Sequence, residues 1–289
     1  MEQKELPLVS VIIPTLNAQG ILEGCLKSLA EQTYHGIEII GIDANSTDNT
    51  GDLIKQYGRL IQFELKDSMA WGTPYQQNLG AAEAKGKYLY FVDADMVIPA
   101  DAIESYVKQM EDENADSMII PEISFGDGFW ARCKILERSA YLLGDRYIEA
   151  PRFHKKAVWD KIGGLDPKMG GEYDQDIHMR LRKAGYTVTR SSKPIYHNEG
   201  KLTIHKLIKK KFTYGKSVKY FLKRHGSDPG LYVNQFNILR PVYFRNWREL
   251  IKDPIHTIGF LIMKTVEAIA MFAGFVRSNP LKLSSPRTV

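Results

Sequence analysis

The chain has 289 residues, 44% hydrophobic and 25% charged, a composition that excludes a wholly disordered protein. This length allows one large domain, or one domain with an appendage. Cys25 and Cys133 are the only cysteines, which excludes a disulfide framework and a cysteine-based metal site and fits a reducing compartment. The net charge of +5 is unevenly distributed, because residues 201–224 carry many lysines and no acidic residue.

Strands and helices alternate through the first hundred residues. Apolar runs predict strands at 8–14, 37–42, 60–64 and 87–92, and helical spacing predicts helices at 21–29, 53–57 and 75–84. We expect Asn17 to cap the first helix. The alternation predicts an α/β fold with a mostly parallel, Rossmann-like sheet and helices on both faces. The first turn, at residues 14–17, lacks a Gly-x-Gly pattern, which disfavours a dehydrogenase.

The next hundred residues carry fewer periodic signals. We predict helices at 101–109, 131–147 and 177–185, and strands at 117–121 and 193–196. The predicted domain therefore covers residues 1–200, in two halves at about 1–100 and 101–200. Residues 201–289 form a separate helical region in this prediction.

Two carboxylates follow the buried strand at 87–92. Asp93 and Asp95 are separated only by Ala94, at the strand end where open α/β sheets bind their ligands. Hard oxygen ligands at this spacing suit Mg²⁺ or Mn²⁺ held against a diphosphate. An isolated Asp-x-Asp is more often a solvated turn, so the pattern gains its meaning from its surroundings.

Six landmarks of the sequence resemble those of family 2 glycosyltransferases with the GT-A fold. They are residues 10–17 (SVIIPTLN), 42–50 (IDANSTDNT), 78–82 (NLGAA), 93–95 (DAD), 163–166 (GGLD) and 174–181 (DQDIHMRL). Their order is that of the family, and six spaced landmarks are far more specific than one. The resemblance covers roughly the first two hundred residues. It implies a catalytic domain whose first half binds a nucleotide sugar and whose second half binds the acceptor.

The resemblance also implies roles for individual residues. The metal would be bound by Asp95, with Asp93 and His197 as further candidates. Asp43 would accept a hydrogen bond from the nucleobase, and we favour this role over that of a helix N-cap or turn residue. The residues implied to contact the nucleotide are Pro14, Thr15, Asn17, Asp43, Asn78, Asp93 and Ala94.

The general base implied by the resemblance is Asp174, two residues before the helix start at Asp176. An inverting transfer needs one carboxylate that deprotonates the acceptor hydroxyl. The Glu that usually precedes this base is replaced by Tyr173, so Glu172 is the reserve candidate. The Arg that often precedes the Asn at position 78 is replaced by Gln77, and Arg152 or Arg180 would then contact phosphate.

The C-terminal region predicts two amphipathic helices. Residues 202–222 combine helical apolar spacing with lysines, a pattern typical of membrane-surface binding. Residues 255–276 are long enough to cross a bilayer, but Lys264 and Glu267 fall in the middle and share one stripe, which favours a helix that lies in the interface. A core helix is the alternative. The residues predicted to face the membrane are Lys209, Lys210, Lys211 and Lys264.

The sequence therefore predicts an inverting, Mg²⁺- or Mn²⁺-dependent hexosyltransferase on the cytoplasmic face of the cell membrane, because the N-terminus is not typical of a secretory signal. The expected donor is a nucleotide-diphosphate sugar, GDP-mannose first and a UDP-sugar second. The expected acceptor is a lipid or lipid-linked glycan. The same chemistry on a polysaccharide or soluble acceptor stays open, as does a non-catalytic nucleotide-sugar or lipid-binding protein. Nucleic acid is not an expected partner.

Overall fold

The structure is a computed structural model that describes residues 6–64, 72–144, 149–226, 240–245 and 247–278. The strands are β1 (Val9–Thr15), β2 (Ile37–Asp43), β3 (Arg59–Gln62), β4 (Tyr88–Phe91), β5 (Met96–Val97), β6 (Ser117–Ile119), β7 (Glu122–Phe125), β8 (Pro151–Lys155), β9 (Val188–Arg190) and β10 (Ile195–Asn198). The helices are α1 (Gln19–Ala30), α2 (Thr50–Tyr57), α3 (Gly72–Glu83), α4 (Ala102–Asp112), α5 (Phe129–Ser139), α6 (Lys156–Ile162), α7 (Tyr173–Lys183), α8 (Ile204–His225), α9 (Pro241–Arg245), α10 (Trp247–Lys252) and α11 (Pro254–Arg277).

A seven-stranded sheet with the order β3-β2-β1-β4-β8-β6-β9 forms the centre of the molecule. All neighbouring pairs are parallel except that β8 runs antiparallel to both β4 and β6. A second sheet, with the order β5-β10-β7, lies beside it. The predicted α/β fold is confirmed, whereas β5, β7, β8 and β9 were not predicted because they are short and lack a clear alternation of apolar and polar residues.

Helices cover both faces of the large sheet. Side chains of α1 and α4, including Leu22 and Tyr106, pack on one face, and side chains of α6 and α7, including Trp159 and Leu181, pack on the other. Because both faces are covered, β1 is apolar along nearly its whole length and almost fully buried.

The large sheet opens at the carboxyl ends of its central strands. The pairing of β1 with β4 ends at Ile12 and Phe91, whereas its pairing with β2 continues to Thr15 and Asp43. The chain after β4 therefore diverges from β1. This opening leaves a crevice at the point where ligands bind in open α/β sheets.

Two local predictions are wrong. The helix expected at 131–147 ends at Ser139, and a 3₁₀ turn at 141–143 leads to Gly144, whose φ of +79° does not continue a helix; residues 145–147 of that prediction lie outside the described residues. Asn17 does not cap α1, because its side-chain oxygen accepts from the Thr47 amide. The first amides of that helix region are instead bonded by Thr50 and Asp48.

The C-terminal helices α8 and α11 are confirmed as helices, and they cross in direct backbone contact. A Cβ atom on Gly215 would lie 2.0 Å from the Met271 carbonyl oxygen, and one on Gly274 would lie 2.0 Å from the Phe212 carbonyl oxygen. Gly259 lets α11 pack against side chains of α5, since a Cβ atom there would lie 2.6 Å from Cys133 Sγ and from the Phe129 ring. The region after residue 200 therefore shares a core with α5, which comes from the preceding half of the chain.

Candidate active site

Asp93 and Asp95 lie in the turn between β4 and β5, at the open edge of the large sheet. Two side chains from distant strands meet them there. Arg152 of β8 places Nη1 3.1 Å from Asp93 Oδ2, and His197 of β10 places Nε2 3.3 Å from Asp95 Oδ2. The fold therefore brings Asp93, Asp95, Arg152 and His197 together, and the roles predicted for them stay predictions.

Glu122, the first residue of β7, links the two partners of these aspartates. Its Oε1 accepts from Arg152 Nε at 2.9 Å, and its Oε2 lies 2.9 Å from His197 Nδ1. Arg138 of α5 binds the same carboxylate at 2.5 Å. Sequence reasoning missed Glu122, since a lone glutamate in a short strand gives no recognisable signal.

The charges of this network hold one another in the ionised state. Burial by itself would lower the pKa of His197, but hydrogen bonds to Asp95 and Glu122 outweigh it and raise the pKa to about 9. Burial likewise opposes ionisation of Glu122, yet Arg152 and His197 hold the pKa of that carboxyl well below its usual range. The side chains therefore form one row of alternating negative and positive charges, which begins at Asp93, continues through Arg152, Glu122 and His197, and ends at Asp95.

One carboxylate oxygen of this network has no protein partner. Asp95 Oδ1 is buried and accepts no hydrogen bond from the described part of the chain. No group of three or more potential metal ligands occurs among the described residues, so Asp95 offers only part of a coordination sphere. His197 would join it only as the neutral imidazole, after loss of the proton that it holds in this network. That donor set fits Mg²⁺ or Mn²⁺, which take few protein ligands and complete their sphere with phosphate and water. Asp93 is held by Arg152 and lies beside this position.

Asp174 and Glu172 lie at the N-terminus of α7, next to this network. Burial raises the pKa of Asp174 to about 6, although the charge of Arg152 opposes the shift. Burial raises the pKa of Glu172 to about 7, against a 2.6 Å hydrogen bond from Ser217 of α8. A carboxylate that is ionised near neutrality yet retains basicity suits a general base, so the geometry is compatible with either residue in that role.

Thr15 and Asp43 form the floor of the crevice. The Thr15 hydroxyl donates to Asp43 at 3.0 Å, and Ser46 donates to both oxygens of the same carboxylate. Asp43 is fully buried, so it shapes the loop that follows β2, and its contact with a base stays a prediction. Pro14 and Ala94 lie at the rims of the same opening.

Asn78 and Arg180 are placed away from the role predicted for them. The Asn78 amide binds both the carbonyl and the amide of Leu165, at 2.8 and 2.9 Å. The Arg180 guanidinium binds Asp176 and two backbone carbonyls. Both side chains stabilise the region before α7, because their polar groups are directed at the protein. Arg152 reaches the site, where its guanidinium contacts Asp93 and Glu122, and its contact with phosphate stays a prediction.

The lysines predicted to face the membrane take three different environments. Lys209 is exposed. Lys210 extends over the ring of Tyr214. The Tyr214 phenol, together with Asp93 and Asp95, raises the pKa of Lys210. Lys210 is therefore a cation of the candidate site, although the sequence predicts that it faces the membrane. Lys211 faces Glu267 inside the protein, where burial lowers its pKa to about 8.

The prediction that Lys264 faces the membrane is wrong. It is buried and bonds Glu137 of α5 at 3.0 Å and Glu267 at 2.6 Å. The polar stripe predicted on this helix therefore exists, but it faces α5 instead of lipid. Charges buried inside a domain are normally paired in this way.

A polar cavity of about 280 Å³ connects the site with the C-terminal helices. Asp174, Glu172, Arg152 and Glu122 line it from the sheet side, and Lys211 and Tyr214 line it from α8. A hydroxyl group bound here would lie beside the two candidate bases. The sequence offered no signal for this cavity, since its walls come from both halves of the chain.

These features are those of a sugar transferase, and comparison with known proteins agrees. A family model described as "Glycosyl transferase family 2" matches residues 10–164. The chain belongs to glycosyl transferase family 2. The family prediction is thereby confirmed, and the match covers the strands and turns that carry Asp43, Asp93 and Asp95.

Curated relatives of this family 2 chain match it over part of their length. Glycosyltransferase GlyG of Streptococcus pneumoniae is 33% identical over 118 residues, which are 39% of this chain and 38% of GlyG. The GalNAc(5)-diNAcBac-PP-undecaprenol beta-1,3-glucosyltransferase of Campylobacter jejuni is 30% identical over 107 residues, 36% of this chain and 35% of that enzyme. The chain thus spans little more than a third of the length of these relatives.

A solved structure extends the similarity in fold to nearly the whole family 2 chain. The mannosyltransferase PcManGT from Pyrobaculum calidifontis, in complex with GDP-Man and Mn²⁺, aligns over 96% of this chain and 78% of its own, with a TM-score of 0.57 and 16% identity. The GT-A fold prediction is confirmed by this likeness.

Proposed function

We propose that the protein transfers a hexose from a nucleotide-diphosphate sugar to a lipid or lipid-linked acceptor, with inversion at the sugar carbon. The observation that carries the proposal is the convergence of Asp93 and Asp95 with the half-buried carboxylate of Asp174 around one polar opening. Asp93 and Asp95 suit a metal-bound diphosphate, and Asp174 suits a general base. An inverting transfer needs both of these roles.

In the proposed reaction Asp174 takes the proton from the acceptor hydroxyl. The hydroxyl oxygen forms a bond to the anomeric carbon as the bond from that carbon to the diphosphate oxygen breaks, and the nucleoside diphosphate leaves with the electron pair. Lys210 lies near Asp93 and Asp95 and would balance charge on the diphosphate. Mg²⁺ or Mn²⁺, held by Asp95, would neutralise charge on the leaving group.

The proposed donor rests more on comparison with known proteins than on the geometry of the site. PcManGT binds GDP-Man with Mn²⁺, which makes GDP-mannose the first donor to test. UDP-glucose and UDP-N-acetylhexosamines are the second. The Campylobacter jejuni relative is named for an undecaprenol-linked acceptor, which supports a lipid-linked acceptor here over a soluble glycan.

The outer face of α11 supports location at a membrane surface. Its exposed residues Ile255, Ile258, Ile262, Ile269, Phe272 and Val276 are spaced by three, four or seven positions and form one apolar stripe. Among the described residues, α11 is the one helix long and apolar enough to span a bilayer. Spanning is disfavoured because α8 packs along it and would carry lysines into the hydrocarbon at about 2.5–3.5 kcal/mol each. We therefore propose that α11 lies in the interface of the cytoplasmic leaflet.

The donor half of the proposal is tested by thermal shift with GDP-mannose, UDP-glucose and UDP-N-acetylglucosamine, each with and without Mn²⁺. A ligand at a hundred times its dissociation constant stabilises by about 2.7 kcal/mol, so one nucleotide sugar should raise Tm strongly and only with metal. The absence of any shift with all three donors would contradict the proposal.

The membrane half is tested by sedimentation with anionic vesicles. The wild type should stay bound in a high-salt wash, because the apolar contribution does not weaken with salt. The variant Ile258→Gln/Ile262→Gln should be released, whereas Ile21→Gln, a change to another exposed isoleucine, on α1, should not. Release of all three proteins by salt alone would exclude apolar docking.

A further inference from the structure

An apolar groove of about 900 Å³ runs between α8 and α11 on the outside of the protein. Ile208 and Phe212 line one wall, and Val266, Ile269, Phe272 and Val276 line the other. From residue 266 to residue 276 the groove extends about 15 Å along the helix axis. Ile269 and Phe272 belong also to the exposed stripe of α11, so the groove opens onto the face proposed to meet the bilayer.

The groove ends at a cluster of lysines. Lys209 lines the groove and also a second hollow, of about 330 Å³, which Lys206 and Lys210 share. Lys206 and Lys209 are exposed and have no ion-pair partner among the described residues. An apolar channel that ends in uncompensated positive charge is complementary to an anionic amphiphile.

The lysine hollow leads on to the candidate base. Tyr214 of α8 lines both this hollow and the polar cavity that holds Asp174. Gly171 permits this arrangement, because a Cβ atom there would lie 2.2 Å from the Tyr214 ring. The groove, the hollow and the cavity therefore follow one another around α8, and each shares a lining residue with the next.

We propose that this track binds the lipid-phosphate part of a lipid-linked acceptor, with its hydrocarbon chain in the groove between α8 and α11 and its phosphate at Lys206 and Lys209. The hydroxyl that accepts the sugar, on the group linked through that phosphate, then enters the cavity of Asp174. This proposal rests on the proposed transferase function and names the part of the acceptor that each segment recognises. A second copy of the chain is a poorer occupant, because it would bring its own lysines against these.

The binding test uses calorimetry on the full chain with octyl, decyl and dodecyl phosphate below their micellar concentrations. Each buried methylene should tighten binding up to about fourfold, so affinity should rise by about tenfold for every two methylenes. Decanol and inorganic phosphate, which each carry one half of the recognition, should bind at least tenfold more weakly than decyl phosphate. Equal affinity across the chain-length series would overturn the proposal.

Variants assign the two halves of the track. Lys206→Gln/Lys209→Gln should weaken the binding of decyl phosphate at least tenfold and leave the binding of decanol unchanged. Lys223→Gln, on the same helix but outside the groove and the lysine hollow, should bind decyl phosphate as the wild type does. Ala273→Trp should fill the groove and weaken decyl phosphate at least tenfold. Ile269→Gln, at a position that is 65% exposed and tolerates a polar side chain, provides a second groove variant should the tryptophan disturb folding.

A comparison with Ile262→Gln separates chain binding from membrane docking. Ile262 lies on the stripe but outside the groove, so this variant should lose vesicle binding and keep wild-type affinity for monomeric decyl phosphate. If the groove and lysine variants all bind decyl phosphate as the wild type does, the track is not the acceptor site, while donor binding and Asp174-dependent transfer would still support the transferase. A monodisperse dimer that Ile269→Gln dissociates would assign the groove to a second copy and overturn the proposal.

Discussion

Two networks of charged side chains border the same cavity and differ in their access to solvent. At the sheet edge, the side chains of Asp93 and Asp95 are 31% and 32% exposed. Between α5 and α11, those of Glu137 and Glu267 are 2% and 3% exposed. Asp95 Oδ1 of the first network and Glu267 Oε1 of the second both lack a hydrogen-bond partner among the described residues. The Glu267 oxygen, however, lies 3.7 Å from the Lys134 ammonium, and Lys264 bonds both carboxylates of the second network.

The difference separates charges that act on ligands from charges that hold helices together. A buried ion pair contributes little net stability, but the removal of one partner is costly because a charge is left alone. An accessible carboxylate with spare acceptor capacity can instead bind a cation or a substrate. Activity should therefore respond to changes in the first network and stability to changes in the second.

The largest effect is expected at Asp95. Asp95→Asn removes the charge that would hold the metal, whose stabilisation of the leaving diphosphate amounts to several kcal/mol. Transfer should fall below detection in a nucleotide-diphosphate release assay, while the free energy of unfolding changes little. Full activity of the wild type in excess EDTA would show that no metal acts there.

Asp174→Asn should reduce kcat by about 10²- to 10⁴-fold, the usual contribution of a general base. Donor affinity, measured by thermal shift, should remain. Glu172→Gln is the matched control and should retain most activity. The opposite result, a dead Glu172 variant beside an active Asp174 variant, would move the base to Glu172.

Lys264→Met should lower the free energy of unfolding by up to about 3–5 kcal/mol, because it removes one of the two cations that Glu137 and Glu267 share and leaves these buried carboxylates incompletely neutralised. The measurement is urea denaturation followed by circular dichroism. Lys55→Met is the control, since Lys55 pairs with Asp52 on the surface at 3.1 Å and such pairs contribute at most about 1 kcal/mol. Equal losses in the two variants would show that α11 does not depend on its buried pairs.

Glu122→Gln should reduce activity or apparent Mn²⁺ affinity by about 10- to 100-fold, the usual effect of altering a residue that orients metal ligands. The readout is the Mn²⁺ concentration at half-maximal rate. Glu83→Gln, a change to an exposed surface carboxylate, should have no effect. An unchanged metal dependence in Glu122→Gln would remove Glu122 from the positioning of His197 and Arg152.

The smallest effect is that of pH on the wild type. Because Asp174 must be ionised to accept a proton and burial raises its pKa to about 6, kcat/KM should rise with pH up to about 6 and then level off. Below that value it should fall about tenfold per pH unit. The same break in Glu172→Gln would assign it to Asp174, whereas its disappearance would assign it to Glu172.

The sequence by itself determined the features that depend on neighbours a few residues apart. The apolar run before Asp93, the alternation of strands and helices, and the two faces of α11 all follow from periods of two or 3.6 residues. The family resemblance, and not this periodicity, indicated Asp174, two residues before the predicted helix start. The six landmarks then sufficed to indicate the family and its fold.

Only the tertiary structure decided which charges meet. Glu122 and His197 are 75 positions apart, and Lys264 and Glu137 are 127 apart, so strand order and helix crossing bring them together. A lysine on an amphipathic helix looks the same in sequence whether it faces lipid, a carboxylate or a substrate. Its role depends on the element packed against it, and for α8 and α11 that was set by the close contacts of Gly215, Gly259 and Gly274.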